Sequence, residues 1–226
     1  RKDIQLLGYK PSRVYSRSQK QLVRTWCRSY ESVGHEHVIH VRGHSFSSLM
    51  IRLGVPATRK TNVGFEVPKW IRVAPLWVKR NFLAGLFGAE LAKPSTMLGH
   101  VYNFQQLTLT VSKTIRKKRS GIRFLEQVKR LLQEFGVESY FTKPIFITRS
   151  TVGLRLIIRN REENLIRLWS QVGYEYNRKR QRLASLAVEY LRMKIPRKSE
   201  LKDRSRPLAF PAFEEFVRIT EAELGH

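Results

Sequence analysis

The 226-residue sequence contains a single cysteine, few acidic residues and no long apolar run. One cysteine, Cys27, excludes an internal disulfide and a zinc site built from Cys-x-x-Cys pairs. Every apolar stretch is shorter than about 18 residues, so the sequence predicts no transmembrane helix. Because it also has no recognisable signal peptide, we expect a cytoplasmic protein.

The shortage of acidic residues gives the chain a strong positive charge. Lys and Arg number 43 against 18 Asp and Glu, for a formal net charge of +25. Such a balance predicts a polyanionic partner, with nucleic acid ahead of a membrane surface. Apolar residues make up 42% of the chain, which is ordinary for a globular protein.

One stretch, residues 81–90 with the sequence NFLAGLFGAE, predicts a helix rich in small residues. Pro75 precedes it and Pro94 follows it, which defines its ends. Helical spacing places four small residues on one side: Ala84, Gly85, Gly88 and Ala89. Each helical glycine costs about 1 kcal/mol against alanine, so we expect a closely packed backbone on this side in compensation.

The acidic residue at the end of this helix, Glu90, has two interpretations. It is either a solvated residue after a buried helix or a ligand for a cation. A carboxylate at a helix C-terminus opposes the helix dipole, and this is unusual in so basic a chain. The second interpretation therefore predicts a cation site at Glu90.

Residues 83–90, LAGLFGAE, resemble the motif of LAGLIDADG homing endonucleases of the kind embedded in archaeal inteins. In that family two such helices pack at a pseudo-twofold axis, and the eighth motif residue of each holds divalent metal. The resemblance implies that Glu90 is a metal ligand and a catalytic residue, with Mg²⁺ as cofactor. Gly88 and Leu91 depart from the motif, but neither departure removes the carboxylate.

The remaining sequence repeats one order of elements: a helix ending at glycine, two strands, and a second helix ending at glycine. This order runs from Gly8 to Gly54 and again from Gly136 to Gly173. Only the second copy is preceded by a motif helix. The arrangement matches the αββαββα order of the family, so we expect an α+β LAGLIDADG fold whose first repeat is incomplete.

The expected organisation has three parts. Residues 1–74 form the C-terminal half of the first repeat, residues 75–194 form a complete second repeat, and residues 195–226 form a linker and a short helix. Glu90 lies 46 residues before Gly136. By analogy, about 40 to 60 residues with the first motif carboxylate would precede Gly8 in a complete repeat. We expect that segment, or a partner chain, to pack on residues 83–88.

Local patterns predict the individual elements. Predicted strands cover residues 14–18, 22–28, 37–42, 103–112, 145–148 and 152–159. Predicted helices cover residues 45–53, 83–90, 122–135, 162–172, 178–193 and 212–224, with a linker at 195–206.

Alternating polarity along the strands predicts a surface for double-stranded DNA. In strand 103–112, Phe104 and the polar residues that alternate with it face away from Leu107 and Leu109. Outward polar and cationic side chains suit the edges of DNA bases. The predicted DNA contacts are Gln106, Thr108, Thr110, Arg155, Arg159, Arg24 and Arg28.

Cations near the end of that strand have further predicted roles. Lys113 is a candidate catalytic residue that polarises the reacting water or phosphate. The basic run at residues 116–119 either contacts phosphates or forms a solvated loop.

These patterns predict a metal-dependent hydrolase, a site-specific double-strand DNA endonuclease. The alternative is a catalytically inactive nucleic-acid-binding relative, such as a degenerate endonuclease or an RNA maturase. A basic ribosome-associated protein would explain the charge but not the small-residue helix. Residues 88–94, 173–177 and 207–224 resemble archaeal inteins of RNA-splicing ligases. Since no nucleophile opens the stretch and no His-Asn pair closes it, we expect no splicing by this stretch alone.

Overall fold

The computed structural model describes residues 1–24, 29–202 and 211–223. The chain divides into two compact units, Arg1–Ala57 and Thr58–His226. This division places residues 58–74 with the second unit, whereas the sequence analysis assigned them to the first repeat; the assignment of the repeats themselves stays a prediction. Within the described ranges, no helix combines the length and the apolar character needed to cross a membrane.

The first unit is a long hairpin between two short helices. Helix α1 is Lys2–Leu6, strands β1 and β2 are Tyr15–Arg24 and Ser29–Val38, and helix α2 is His44–Arg52. The strands pair antiparallel without a break from Tyr15↔Val38 to Arg24↔Ser29. The sequence pattern predicts three shorter strands here. Two longer ones form because an uninterrupted ladder satisfies the backbone hydrogen bonds of both strands.

Glycines end both helices of this unit, as predicted. Gly8 and Gly54 have φ angles of +82° and +99°, a region that side-chain-bearing residues rarely adopt.

The second unit contains the remaining elements. Its helices are α3 Lys69–Arg72, α4 Leu76–Glu90, α5 Lys118–Glu134, α6 Glu162–Arg167, α7 Arg178–Lys202 and α8 Phe213–Glu223. Its strands are β3 Thr96–Met97, β4 His100–Phe104, β5 Thr108–Thr114, β6 Ser139–Phe141, β7 Ile145–Phe146 and β8 Thr151–Ile158. A 3₁₀ turn, Ile115–Lys117, precedes α5, and a π-helical turn, Leu168–Val172, follows α6.

The centre of this unit is an antiparallel sheet with strand order β5-β8-β6, and β7 also pairs with β8. Leu109 and Leu156 are opposite each other in the register and are almost fully buried. Helix α5 packs on this buried face through a stripe that includes Leu125, Val128 and Leu132. The opposite face of the sheet carries no helix in the described contacts, so the unit has one covered and one open sheet face.

Several predicted boundaries are wrong for identifiable reasons. The predicted strand 103–112 is divided into β4 and β5, because Asn160 donates to the Phe104 carbonyl and Gln105 pairs with Ser95. Helix α5 begins at Lys118, so the basic run at 116–119 forms the 3₁₀ turn and first helical residues, not a loop. Helix α7 runs through Pro196 to Lys202, where we predicted a linker.

The aromatic cluster beside the sheet corrects the assignment of Phe104. We predicted that Phe104 faces outward with the DNA contacts, but it is 3% exposed. Its ring makes edge contacts with Trp169, Tyr190 and Phe213, with centroids 4.7–6.0 Å apart. The irregular residues 105–107 between β4 and β5 shift the alternation, and this allows Phe104 to enter the core while Gln106 stays exposed.

Candidate nucleic-acid interface and acidic helix end

The small-residue side of α4 is packed against a backbone, as its glycines predicted. A Cβ on Gly88 would lie 1.9 Å from the carbonyl oxygen of Glu175, so only glycine fits there. The Glu175 amide donates to the Ala84 carbonyl at 2.8 Å. At Ala84 and Gly88 the neighbour is therefore the segment at 173–177 of the same unit, whereas the sequence predicted a further half-repeat or a partner chain there.

The end of α4 is stabilised by a cation. Arg180 Nη1 donates to the carbonyl oxygens of Phe87 and Gly88, at 3.2 and 2.9 Å. A guanidinium at these carbonyls is favourable for the helix dipole. The Phe87 carbonyl also accepts from the Leu91 amide, and the Gly88 carbonyl also accepts from Asn177 Nδ2. Arg180 therefore offsets the unfavourable position of Glu90 at the same end.

Glu90 is the last residue of α4, and its side chain is 37% exposed. Its Oε1 forms an ion pair with Nζ of Lys60, a more exposed side chain. The backbone carbonyl of Lys60 accepts a hydrogen bond from Nζ of Lys113. Through Lys60, the structure connects the two residues predicted to be catalytic, Glu90 and Lys113.

Lys113 lies near the end of β5 but on the covered face of the sheet. It is fully buried, and its Nζ also donates to the Val63 carbonyl at 2.7 Å and lies 3.7 Å from the Phe65 ring centroid. Burial, with Lys60 and Lys117 nearby, lowers the pKa of Lys113 to about 8. A neutral amine is thus accessible near neutral pH, a property of general bases.

Gly121 makes room for this lysine. A Cβ there would lie 2.8 Å from Cγ of Lys113 and 2.5 Å from Cδ1 of Leu154. The first turns of α5 can therefore approach β5 closely only with glycine at this position.

The open face of the sheet brings together most of the predicted DNA contacts. Thr110 is opposite Arg155 in the register, and Thr108 is opposite Ile157. Both Thr110 and Arg155 are exposed. Gln106 and Arg159 extend the face at the end where Thr108 lies. The five predicted residues of this unit therefore occupy one surface, which carries hydrogen-bonding and cationic groups of the kind that contact base edges.

Tyr140 is a residue of this surface that sequence reasoning missed. Strand β6 is three residues long and was not predicted. Gln106 Nε2 donates to the Tyr140 hydroxyl at 3.0 Å, and the Arg159 guanidinium lies 5.6 Å from the Tyr140 ring centroid. Tyr140 thus orients two of the predicted contacts. Its pairing partner, Ile157, lies in β8, so no local pattern could have identified it.

Two predicted contacts belong to the first unit. Arg24 is the last residue of β1, but its side chain lies outside the part of the chain that the structure describes. Arg28 lies between the described ranges 1–24 and 29–202. The roles of both arginines stay predictions.

A known protein family matches the part of the chain that contains α4 and the sheet. Residues 77–173, which include α4, the sheet and α5, match the family model described as a LAGLIDADG-like domain. This part of the chain belongs to that family. The α+β fold predicted from the motif and the order of elements is confirmed. The LAGLIDADG-like family supports a homing endonuclease or a related nucleic-acid-binding function.

Curated relatives match almost the whole chain. It is 34% identical over 229 aligned residues to a tRNA-splicing ligase RtcB of Methanopyrus kandleri, with 98% of this chain and 22% of the ligase covered. A tRNA-splicing ligase RtcB of Methanocaldococcus jannaschii is 35% identical with the same coverage. The replication factor C small subunit of M. jannaschii is 31% identical, over 86% of this chain and 10% of that protein.

The chain thus spans about a fifth of the length of the ligases. No solved structure matches.

The residues at Glu90 fit one mode of divalent-metal binding. No cluster of three or more His, Cys, Asp or Glu occurs among the residues that the structure describes. Mg²⁺, however, commonly uses one or two carboxylates, several waters and the phosphates of the substrate. The exposed carboxylate of Glu90 fits that mode, in which nucleic acid completes the site.

Proposed function

We propose that this chain is part of a site-specific double-strand DNA endonuclease, inserted as an intein in an RNA-splicing ligase. The observation that carries the proposal is the connection of Glu90 through Lys60 to Lys113, at one end of a strand whose open face carries Thr108 and Thr110. An acidic group and a lysine with a lowered pKa, near the end of a strand whose other face carries the predicted DNA contacts, are suited to phosphodiester hydrolysis.

The relatives support the insertion. One segment of about the length of this chain recurs in proteins named for ligation of RNA and for DNA replication, and it covers only 10% to 22% of each. A segment shared by proteins with otherwise unrelated names is typical of a mobile insert. The ligase activity belongs to those proteins by name and is not proposed for this stretch.

In the proposed reaction, each residue has a separate task. Glu90 would hold Mg²⁺, which supplies charge relief on the phosphate and an activated water. Lys113 is fully buried with its Nζ on two backbone carbonyls, so it would act on the water or phosphate indirectly, through the Lys60 backbone that it contacts. The open sheet face would align the duplex through Gln106, Thr108, Thr110, Arg155 and Arg159. Cations elsewhere would contact phosphates and make affinity fall steeply with salt.

A second motif helix is the proposed partner of α4. Asn81 and Ala89 are exposed on α4, and Gly85 is only half-buried. With Gly85 between them at four-residue spacing, they form a stripe of short side chains. The segment at 173–177 reaches this stripe only at Gly85, through the Tyr176 ring. We propose that a further half-repeat, from elsewhere in the precursor or from a partner chain, packs there and brings a second carboxylate.

The alternative function is a nucleic-acid-binding relative that does not cleave. The ion pair between Lys60 and Glu90 favours it, because a cation already neutralises the proposed metal ligand.

Cleavage of a plasmid that carries the uninterrupted ligase coding sequence separates the two functions. The full-length product of the gene and this chain are each assayed with Mg²⁺. We expect Glu90→Gln to abolish cleavage and to leave DNA affinity nearly unchanged. Glu126→Gln removes the same charge from an exposed site on α5 and should cleave normally. Cleavage by the Glu90→Gln protein would refute the role of Glu90, and sequence-selective binding without cleavage by the wild type would support the alternative.

A further inference from the structure

An apolar patch interrupts the polar open face of the sheet near the turn between β7 and β8. Ile145 is 43% exposed and Ile147 is 55% exposed. Side chains alternate along this segment, so Ile145 and Ile147 point to one side and Phe146 to the other. Two neighbouring isoleucines exposed on the same side form a small apolar surface that a ligand can contact.

The register assigns this patch to the same face as the predicted DNA contacts. Gly153 is opposite both Ile145 of β7 and Ser112 of β5. Two residues further along β8, Arg155 is opposite Thr110. Residues opposite each other share a face, and so do residues two apart in one strand. The patch is therefore continuous with the pair Thr110 and Arg155.

Gly153 allows Ile147 to lie across the sheet. A Cβ on Gly153 would lie 3.2 Å from Cδ1 of Ile147, which is tighter than ordinary contact, and 3.5 Å from Cγ1. Because this glycine has no side chain, Ile147 packs over it and still leaves 55% of its own surface exposed. We call Ile145, Ile147 and Gly153 the methyl patch.

The charge around the patch indicates its occupant. Arg149 in the adjoining turn, Lys143 before β7 and Arg155 on β8 are all exposed cations. A small apolar surface ringed by cations suits a polyanion that itself carries small apolar groups. In the major groove of DNA, the C5-methyl of thymine is the apolar group that base pairs present.

We propose that Ile145 and Ile147 select thymine in the DNA target by contact with its C5-methyl group. Gly153 allows Ile147 to lie close to the sheet. This inference rests on the proposed function, since it names specificity residues of the same DNA surface. The methyl patch would then contact A·T pairs, whereas Arg155, two residues from Gly153 on β8, suits guanine.

Deoxyuridine in place of thymidine tests the proposal without changing the protein. A preferred duplex is first selected from a random pool by the full 226-residue chain. Each thymine is then replaced by uracil, which removes only the methyl group. We expect one or two positions at which the replacement weakens binding, by about fourfold per methyl group lost from an apolar contact.

Variants of the protein test whether the preference for thymine over uracil depends on the methyl patch. The double variant Ile145→Ser, Ile147→Ser should bind the thymine and uracil duplexes equally. Phe146→Ser is the matched control, because Phe146 is an exposed apolar residue of the same strand that points to the other side. It should keep the preference for thymine. Circular dichroism and thermal unfolding verify that each variant is folded.

The outcomes separate this inference from the proposed function. Sequence-selective binding that is insensitive to uracil at every position overturns the inference and leaves the proposed function intact. A preference for thymine that persists in the double variant also overturns it. If the double variant instead loses self-association in sedimentation, with no thymine dependence in the wild type, the patch is a contact between copies. Absence of any sequence-selective binding removes the proposed function and the inference together.

Discussion

Gly88 of α4 and the carbonyl oxygen of Glu175 are so close that a single methyl group between them would lie 1.9 Å from that oxygen. The contact joins the acidic motif helix to the turn that follows the π-helical residues. It explains why α4 keeps a glycine that weakens its helix.

Replacement of Gly88 tests this relationship. Gly88→Ala must displace backbone, so we expect a loss of about 1–3 kcal/mol in the free energy of unfolding. Gly85→Ala is the matched control on the same helix. Its Cβ would lie 3.9 Å from the Tyr176 ring, an ordinary contact, and alanine adds about 1 kcal/mol of helix propensity. Urea denaturation of both variants measures the difference, and equal stabilities would contradict the close contact.

Buried Lys113 predicts a dependence of stability on pH. Its pKa is lowered from 10.5 to about 8 in the folded protein. Between these values the unfolded chain binds more protons than the folded one, so stability rises with pH. We expect the free energy of unfolding of the wild type to rise by about 2 kcal/mol between pH 8 and pH 10, and Lys113→Met to lack this rise.

The control for this experiment is Lys143→Met, which removes an exposed lysine. It should retain the rise in stability that the wild type has. Denaturant midpoints measured at half-unit pH intervals give the comparison. Parallel profiles for the wild type and the Lys113 variant would show that the lysine is charged in the folded protein.

Lys60 competes with metal for Glu90. Its ion pair is exposed, and exposed pairs contribute about 0.2–1 kcal/mol. We expect Lys60→Met to lower the Mg²⁺ concentration for half-maximal cleavage by about threefold, with the maximal rate retained. Titration of Mg²⁺ in the plasmid assay measures the shift. A requirement for more Mg²⁺ in this variant would mean that Lys60 assists the reaction.

Arg155 should determine specificity as well as affinity. It is exposed beside Thr110 on the open sheet face, so Arg155→Ala should relax the preference at one base pair by about 1–3 kcal/mol. Arg192→Ala removes an equal charge from an exposed position on α7, which packs on α6 and not on this sheet. It should weaken binding equally for all sequences. Binding to a panel of single-base variants distinguishes the two, and uniform loss in the Arg155 variant would assign it to phosphate.

The two glycines of α4 illustrate how far the sequence could go. Their spacing predicted a backbone packed closely on the helix, and Gly88 has one. The identity of that backbone, the segment around Glu175, depends on 86 intervening residues and on how they fold. Similarly, alternation predicted the outward direction of Thr108 and Thr110. The hydrogen bond between Gln106 and Tyr140, however, exists only because β8 pairs with β5 on one side and with β6 on the other.

By itself, the sequence determined the family motif, the strong positive charge and the α+β class, because periodicity, glycine positions and charge are local properties of a chain. The tertiary structure decided which groups meet: Lys60 with Glu90, Arg180 with the end of α4, and Phe104 with the aromatic core. It also placed Lys113 behind the sheet, not at its surface. These contacts join residues far apart in sequence, and only the packing of the whole second unit selects them.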